Sequence, residues 1–251
     1  MNKPKLSIII PNYNEKENIN AGVLQQVADY LKKVSYTWEV IISDDASTDG
    51  SLKMVQDFAK EHPGFRVLAN KHGGKAYAVW CGIKKAKGEI VLFTDMDQST
   101  PLKEVEKLLP YYDQGYSVVF GSRGKARQNF PWHRQLMSWG FRVIRQIFLL
   151  RGVSDTQCGF KSLETKLAKK VFPRLSILKD AEKSSGWTVS AFDVELLFLA
   201  EKQGAKLKGV EVLWQDEDVS TTKSRNFIAE SLDMLKQILS VKRNDMQGKY
   251  D

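Results

Sequence analysis

Short apolar runs alternate with amphipathic stretches along the first hundred residues. Residues 6–10 (LSIII) are apolar, rich in β-branched side chains and end at Pro11, the signature of a strand buried on both faces. Residues 19–34 carry helical spacing at Val23, Val27, Tyr30, Leu31 and Val34. A second strand is expected over 39–43 (EVIIS), closed by the turn-rich stretch 44–50, and a helix over 51–61. Residues 65–68 then read as a strand, 75–85 as a helix and 89–94 (EIVLFT) as a fourth strand. Strands separated by helical crossovers predict a mostly parallel, twisted α/β sheet with helices on both faces and a Rossmann-like nucleotide-binding half. Beyond Pro101 the pattern predicts a helix over 102–112, a strand over 117–121, a helix after Glu164, another over about 192–203, a strand over 209–214 and a last helix over 226–241. Residues 242–251 read as a solvated tail.

Composition changes this picture little and charge changes it more. A chain of 251 residues with 42% hydrophobic and 27% charged positions fits one globular α/β domain. Cys81 and Cys158 form no CxxC pair, so neither a zinc site nor a disulfide framework is signalled. No apolar run reaches the roughly 18 residues of a membrane helix, and the first residues enter a strand pattern without a signal-peptide core. A cytoplasmic protein, peripheral on the cytosolic face of a membrane, is the expectation. The net charge of +8 is unevenly spread: residues 114–154 contain no Asp or Glu, yet hold Arg123, Lys125, Arg127, Arg134, Arg142, Arg145 and Arg151. Such a patch calls for an anionic partner. No nucleic-acid recognition motif accompanies it, so phosphates of a small substrate or of lipids fit better. On a helix over 132–150, Arg134, Arg142 and Arg145 fall within a sector of roughly 80°, while aromatic and aliphatic residues fill much of the rest. That suits a lipid headgroup boundary reached through the basic aromatic segment 123–151, or a core helix with a solvated cationic face.

Open sheets bind ligands beyond the carboxyl ends of their strands, which directs attention to residues 11–17, 44–50 and 95–101. Asp95-Met96-Asp97 follows the fourth strand, and paired carboxylates there can hold Mg²⁺ or Mn²⁺ against a substrate's phosphates. A DxD alone is a weak signal, because the same acids cap helices. Asp44 and Asp45 stand at the second strand's end; turn and cap chemistry explains one or two of the acids in Asp44, Asp45 and Asp49, not all three. A carboxylate there can also accept from a ribose hydroxyl or a base N–H. Gly73-Gly74-Lys75 is followed by Ala76, so no P-loop forms, and no GxGxxG, HExxH or Ser/His/Asp arrangement stands out.

The ordered runs LSIIIPNYNEKENI, EVIISDDASTDGS, GGKAYAVWCGIKKAKGEIVLFTDMD, VVFGSR, SDTQCGFKSL and FDVELL together resemble family 2 glycosyltransferases of the dolichyl-phosphate glucosyl- and mannosyltransferase type. The resemblance spans about residues 6–223. It implies a GT-A fold over residues 1–225, with a nucleotide-sugar half (1–101) and an acceptor half (102–225), followed by a C-terminal helix and tail (226–251). DTQCGFK and FDVELL look more like the glucosyltransferases, which favours UDP-glucose over GDP-mannose as donor and a polyprenyl phosphate as acceptor. By resemblance Pro11, Tyr13, Glu15 and Asp44 line the nucleotide pocket, joined by Asp45, Lys75 and Met96, while Asp95 and Asp97 engage the metal-bound diphosphate and Arg123 and Lys223 contact phosphate. Relatives often read DADLQ where this chain has Asp-Met-Asp-Gln-Ser, so Gln98 stands one place early and Ser99 takes the usual glutamine position.

The implied reaction displaces a nucleoside diphosphate with inversion, and its barrier is charge developing on the leaving group. Asp97 through the metal, with Arg123 and Lys223, would stabilise that charge. A phosphate-monoester acceptor has a second pKa of about 6 and needs no strong base. Asp155 is the first candidate for orienting it or taking its residual proton and Asp193 the second, although a turn cap and an arginine partner are structural alternatives for them. Rival readings are a family 2 enzyme with a saccharide acceptor, a GDP-mannose-using mannosyltransferase, a nucleotide-sugar-binding module and a nucleotidyltransferase.

Overall fold

The computed structural model describes residues 3–123, 155–156, 158–179, 192–215 and 227–250. Among these, seven strands form one sheet: β1 (Leu6–Asn12), β2 (Trp38–Asp44), β3 (Phe65–Ala69), β4 (Ile90–Phe93), β5 (Val118–Ser122), β6 (Lys161–Glu164) and β7 (Leu207–Glu211). Their order is β3-β2-β1-β4-β6-β5-β7. β3, β2, β1 and β4 run parallel, β6 is antiparallel to both β4 and β5, and β7 is parallel to β5. The sheet is therefore mostly parallel, as the apolar strand pattern predicts.

The crossovers are α1 (Lys16–Asn20), α2 (Val23–Leu31), α3 (Ser51–Glu61) and α4 (Lys75–Lys85) in the first half. α5 (Pro110–Asp113), α6 (Thr165–Val171), α7 (Ser176–Lys179), α8 (Phe192–Lys202) and α9 (Phe227–Met246) follow. Strand alternation assigns the core to two layers. Ile9, Ile41, Val91 and Phe93 face α4, α6 and α8, while Ile8, Ile10, Val40, Ile42 and Leu92 face α2 and the 3₁₀ turn Leu102–Lys107. Fully burying each such aliphatic side chain contributes roughly 1.5–3 kcal/mol, so the central strands anchor the loops at their ends.

Several elements differ from the sequence expectation for local reasons. The helix expected over 19–34 breaks at Gly22, whose φ of 85° is left-handed, giving α1 and α2. The helix expected over 102–112 is a 3₁₀ turn followed by α5, which Pro110 opens. β6 was not expected, because Lys-Ser-Leu-Glu carries no apolar alternation of its own. β7 begins at Leu207, two residues ahead of the expected strand, paired with Val118. Residues 242–250 are no solvated tail: α9 continues to Met246, and the buried Tyr250 donates its hydroxyl hydrogen to Glu195. The expected basic helix over 132–150 lies outside the described residues.

α4 lies flush on β1 because residue 82 is glycine. A Cβ there would stand 2.4 Å from Ile9 Cγ2 and 3.1 Å from its Cδ1. Gly82→Val should therefore destabilise the protein by about 1–3 kcal/mol through overpacking, measured as a lower urea midpoint at unchanged m-value. An unaltered midpoint would refute this close helix-to-strand packing.

Candidate functional site

The loops after β1, β2 and β4 emerge at one edge of the sheet. Among the described residues the non-glycine positions with positive φ are Asn14 (54°), Ala46 (63°) and Gln98 (52°), one in each of these loops. Left-handed backbone costs roughly 1–2 kcal/mol per L-residue, so the surrounding bonds must hold it in place. Asn14 Oδ1 accepts from Thr48 N at 2.8 Å, and Asn14 N donates to Ser47 Oγ at 3.1 Å, tying the β1 loop to the β2 loop. Gln98 Nε2 donates to the Asp95 carbonyl at 2.8 Å and closes the β4 loop around that residue.

Asp44 and Asp45 are both fully buried and do different things. Asp44 Oδ1 accepts from Asn12 Nδ2 and from Ser47 Oγ, each at 2.6 Å, and Oδ2 accepts from Ser47 N at 3.1 Å. It joins the ends of β1 and β2. Asp45 accepts from Gly73 N at 2.8 Å and Gly74 N at 2.9 Å, one per oxygen. Burial pushes its carboxyl above the usual range, and those two N–H groups with His72 work against the rise. His72 Nδ1 lies 2.9 Å from Asp45 Oδ2 and 3.2 Å from the Asp45 carbonyl; both are acceptors, so this ring nitrogen carries hydrogen. The His72 ring stacks on Tyr13 at 5.0 Å between centroids. Sequence reasoning passed over His72; its neighbourhood to the Gly-Gly turn was the available signal. Pro11 lies in β1 opposite Ser43, Glu15 accepts from Asn18 Nδ2 at 2.5 Å, and the Met96 side chain is buried in the core.

The Gly73-Gly74 turn fixes the start of α4, and Lys75 there reaches Asp95, with 2.5 Å between Nζ and Oδ1. Burial opposes the Lys75 charge, but Asp95, then Asp193, then Asp97 outweigh it and hold the ammonium above its usual range. Asp97 Oδ1 accepts from Ser99 N at 2.9 Å. Gly159 backs onto the same place: a Cβ there would sit 2.1 Å from Asp95 Oδ2, so only glycine lets that segment approach. The neighbouring residues build two more ion pairs. Arg123 donates through Nε to Asp155 Oδ2 (2.9 Å) and through Nη2 to Oδ1 (3.0 Å), and its backbone N donates to Oδ2 at 3.1 Å. Trp214 covers the guanidinium at 5.7 Å. Lys161, fully buried in β6, places Nζ 2.8 Å from Asp193 Oδ1 and donates to the Cys158 carbonyl. Lys161 also escaped the sequence reading, since its partner stands on α8, 32 residues on. Burial raises the Cys158 thiol and keeps it protonated. Lys223 and positions 124–151 lie outside the described residues.

Among the described residues no three His, Cys, Asp or Glu side chains gather into a metal cage. The donor set nonetheless fits a metal that arrives with a diphosphate, because Mg²⁺-type ions are commonly held by one or two carboxylates plus substrate phosphates. Asp95 and Asp97 supply hard oxygens on one loop, and a cation, the Lys75 ammonium, already sits on Asp95.

A mostly parallel α/β sheet with carboxylates and their cationic partners gathered at its strand ends agrees with the GT-A fold expected from the sequence. The sequence pattern described as Glycosyl transferase family 2 matches residues 7–172, and the chain belongs to that family and is a glycosyltransferase. It is 31% identical to a dolichyl-phosphate beta-glucosyltransferase of Dictyostelium discoideum over 97% of this chain and 75% of that relative. It is 28% identical to one of Saccharomyces cerevisiae over 98% and 76%. Among solved structures, mannosyl-3-phosphoglycerate synthase from Rubrobacter xylanophilus superimposes with a TM-score of 0.63 at 14% identity, covering 98% of this chain and 75% of that one. Glucosyl-3-phosphoglycerate synthase from Mycobacterium tuberculosis, in complex with Mn²⁺, UDP-glucose and phosphoglyceric acid, gives 0.57 at 18% identity over 98% and 80%. These solved structures share the GT-A fold.

The Arg123–Asp155 pair is largely buried, with side-chain exposures of 17% and 5%. Removing one partner strands the other charge, so Asp155→Leu should cost about 3–5 kcal/mol, whereas Arg123→Met combined with Asp155→Leu should recover most of that loss. Denaturation of the single and double variants measures the coupling, and additive losses would show that the two residues act independently.

Proposed function

We propose that this chain transfers glucose from UDP-glucose to a polyprenyl or dolichyl phosphate, inverting the anomeric centre, at the cytosol-facing surface of a membrane. The observation that carries the reading is the clustering of Lys75 with Asp95 and Asp97 at the strand ends, on a turn that Asp45 fastens and whose His72 stacks on Tyr13. The named activity of the two dolichyl-phosphate relatives supports the sugar and the acceptor. Among the described residues no helix is long and apolar enough to cross a membrane. Contact with the lipid surface is assigned to the basic aromatic segment 123–151, whose arginines and aromatic residues suit an anionic headgroup boundary.

In this scheme residues 1–101 bind the donor and 102–225 the acceptor. Tyr13 and the Asp44 loop hold the nucleoside. Asp95 and Asp97 would hold Mg²⁺ or Mn²⁺, which neutralises charge on the departing diphosphate. Lys75 adds a cation beside it. Asp155 fixes the Arg123 guanidinium through Nε and Nη2, and Arg123 with Lys223 adds positive charge beside the departing diphosphate. Lys161 holds Asp193 in place. The acceptor needs little base assistance, because a phosphate monoester with a second pKa of about 6 is largely ionised at neutral pH.

The test is transfer of labelled hexose from UDP-glucose and from GDP-mannose to a short polyprenyl phosphate, with Mg²⁺, Mn²⁺ or chelator. UDP-glucose should label the lipid, chelator should stop it, and Asp97→Asn should lower kcat by about 100-fold or more. Labelling from GDP-mannose alone would replace the donor assignment. Donor binding with no labelled lipid would overturn the lipid acceptor.

A further inference from the structure

Lys75 already pairs with Asp95, one of the two carboxylates that would hold a metal, and this has consequences for the order in which ligands bind. We infer that the Lys75 ammonium is a resident counter-ion of the Asp95–Asp97–Asp193 carboxylates, which leaves Asp95 for the donor's diphosphate when metal and donor enter together. The inference rests on the donor-site reading above and adds a regulatory property to it.

The geometry gives Asp95 little freedom to hold both cations. Its Oδ1 is 2.5 Å from Lys75 Nζ, and its Oδ2 faces Gly159 so closely that a Cβ there would lie 2.1 Å away. One oxygen is bonded to the ammonium while about a third of the side chain stays exposed, so a metal approaching Asp95 meets Lys75 on the same carboxylate and competes with it. Two cations on one carboxylate repel each other. Lys75 is equipped to move: its compact charge sits on a flexible four-carbon stem, whose root is fixed. That root is the first residue of α4, and Asp45 fastens the preceding turn through Gly73 N and Gly74 N. A swing of the stem from this fixed point carries the charge off Asp95 to the phosphates the metal brings, without any shift of the backbone. The remaining carboxylates explain why the ammonium stays in the absence of donor, since Asp193 and Asp97 also attract it. The expected result is positive coupling. Bare metal competes poorly with Lys75, whereas metal and diphosphate together offer the ammonium a new partner.

Mn²⁺ titration by electron paramagnetic resonance reads this directly, without turnover. Wild type should bind Mn²⁺ weakly alone and at least about tenfold more tightly with UDP. Lys75→Met should bind Mn²⁺ alone about tenfold more tightly than wild type and lose most of the UDP effect. Lys75→Arg keeps the charge and should keep the weak metal-only binding. If Lys75→Met loses the wild-type thermal transition, Lys75→Gln provides the same comparison. Normal UDP-enhanced binding in wild type, together with an unchanged or weakened Mn²⁺ affinity in the neutral variant, overturns this inference alone. Failure of wild type to bind Mn²⁺ with either UDP or GDP overturns the metal-donor reading, and this inference with it.

Discussion

Carboxylates gathered at the carboxyl ends of parallel strands repel one another and lose hydration as the loops fold over them, so each must find a cation or a row of N–H donors. That requirement organises this protein's functional edge. Asp44 takes Asn12 and Ser47, Asp45 takes two backbone N–H groups, and Asp95, Asp155 and Asp193 take Lys75, Arg123 and Lys161. All of these contacts except Asp44–Ser47 join segments distant in sequence, so the charge balance also stitches the loops together. The two functions differ in strength. Asp44 and Asp45 are wholly buried and bonded within the fold, Asp44 to Asn12 and Ser47 and Asp45 to two backbone N–H groups and His72, which makes them struts. Asp95 keeps about a third of its side chain exposed and is bound to a movable ammonium, which makes it the exchangeable member.

The first half of the fold was legible because physics there is local. Near-continuous β-branched runs in β1, β2 and β4 are needed by strands buried on both faces, and the helices between them have too little chain to do anything but cross over. Legibility fell where a partner decides the conformation. Lys161 reads as a surface residue until Asp193 on α8 neutralises it inside the sheet, so β6 was invisible in the sequence. Tyr250 reads as part of a polar tail until Glu195, which also accepts from Ser176 N at 3.0 Å, supplies an acceptor for its hydroxyl. Gly22 was a signal in plain view, a left-handed residue dividing an otherwise continuous helical pattern.

For the site, position was legible and partnership was not. Strand ends point to Asp44, Asp95 and Asp97 by a general rule of open sheets. That Asp45 faces the Gly73-Gly74 turn, or that Gly159 must be glycine because Asp95 fills the space a Cβ needs, follows only from the way two loops meet. The early glutamine of Asp-Met-Asp-Gln-Ser finds its reason here too. Gln98 turns left-handed and bonds the Asp95 backbone carbonyl with its side chain, while Ser99 N bonds the Asp97 carboxylate, so the shifted residues hold the loop at Asp95 and the side chain of Asp97.

Charge also links the described site to the basic segment beyond it. The three ion pairs cancel internally, and Asp97 adds one more negative group beside them. On the proposed reaction a sugar-nucleotide diphosphate and a phosphate monoester must meet here, carrying more negative charge between them than one divalent cation neutralises. Lys75, once displaced from Asp95, offsets part of the donor's charge but leaves Asp95 to the metal, so the sum over the described side chains is unaltered. The remaining compensation has to come from outside that set, on the side of the acceptor. The acid-free run 114–154 passes through β5 to Arg123 at its end and stops next to Asp155, so the described residues on either side of 124–154 are joined by one ion pair. Among the described residues, the Arg123–Asp155 pair ties the end of β5 to the residues that lead into β6.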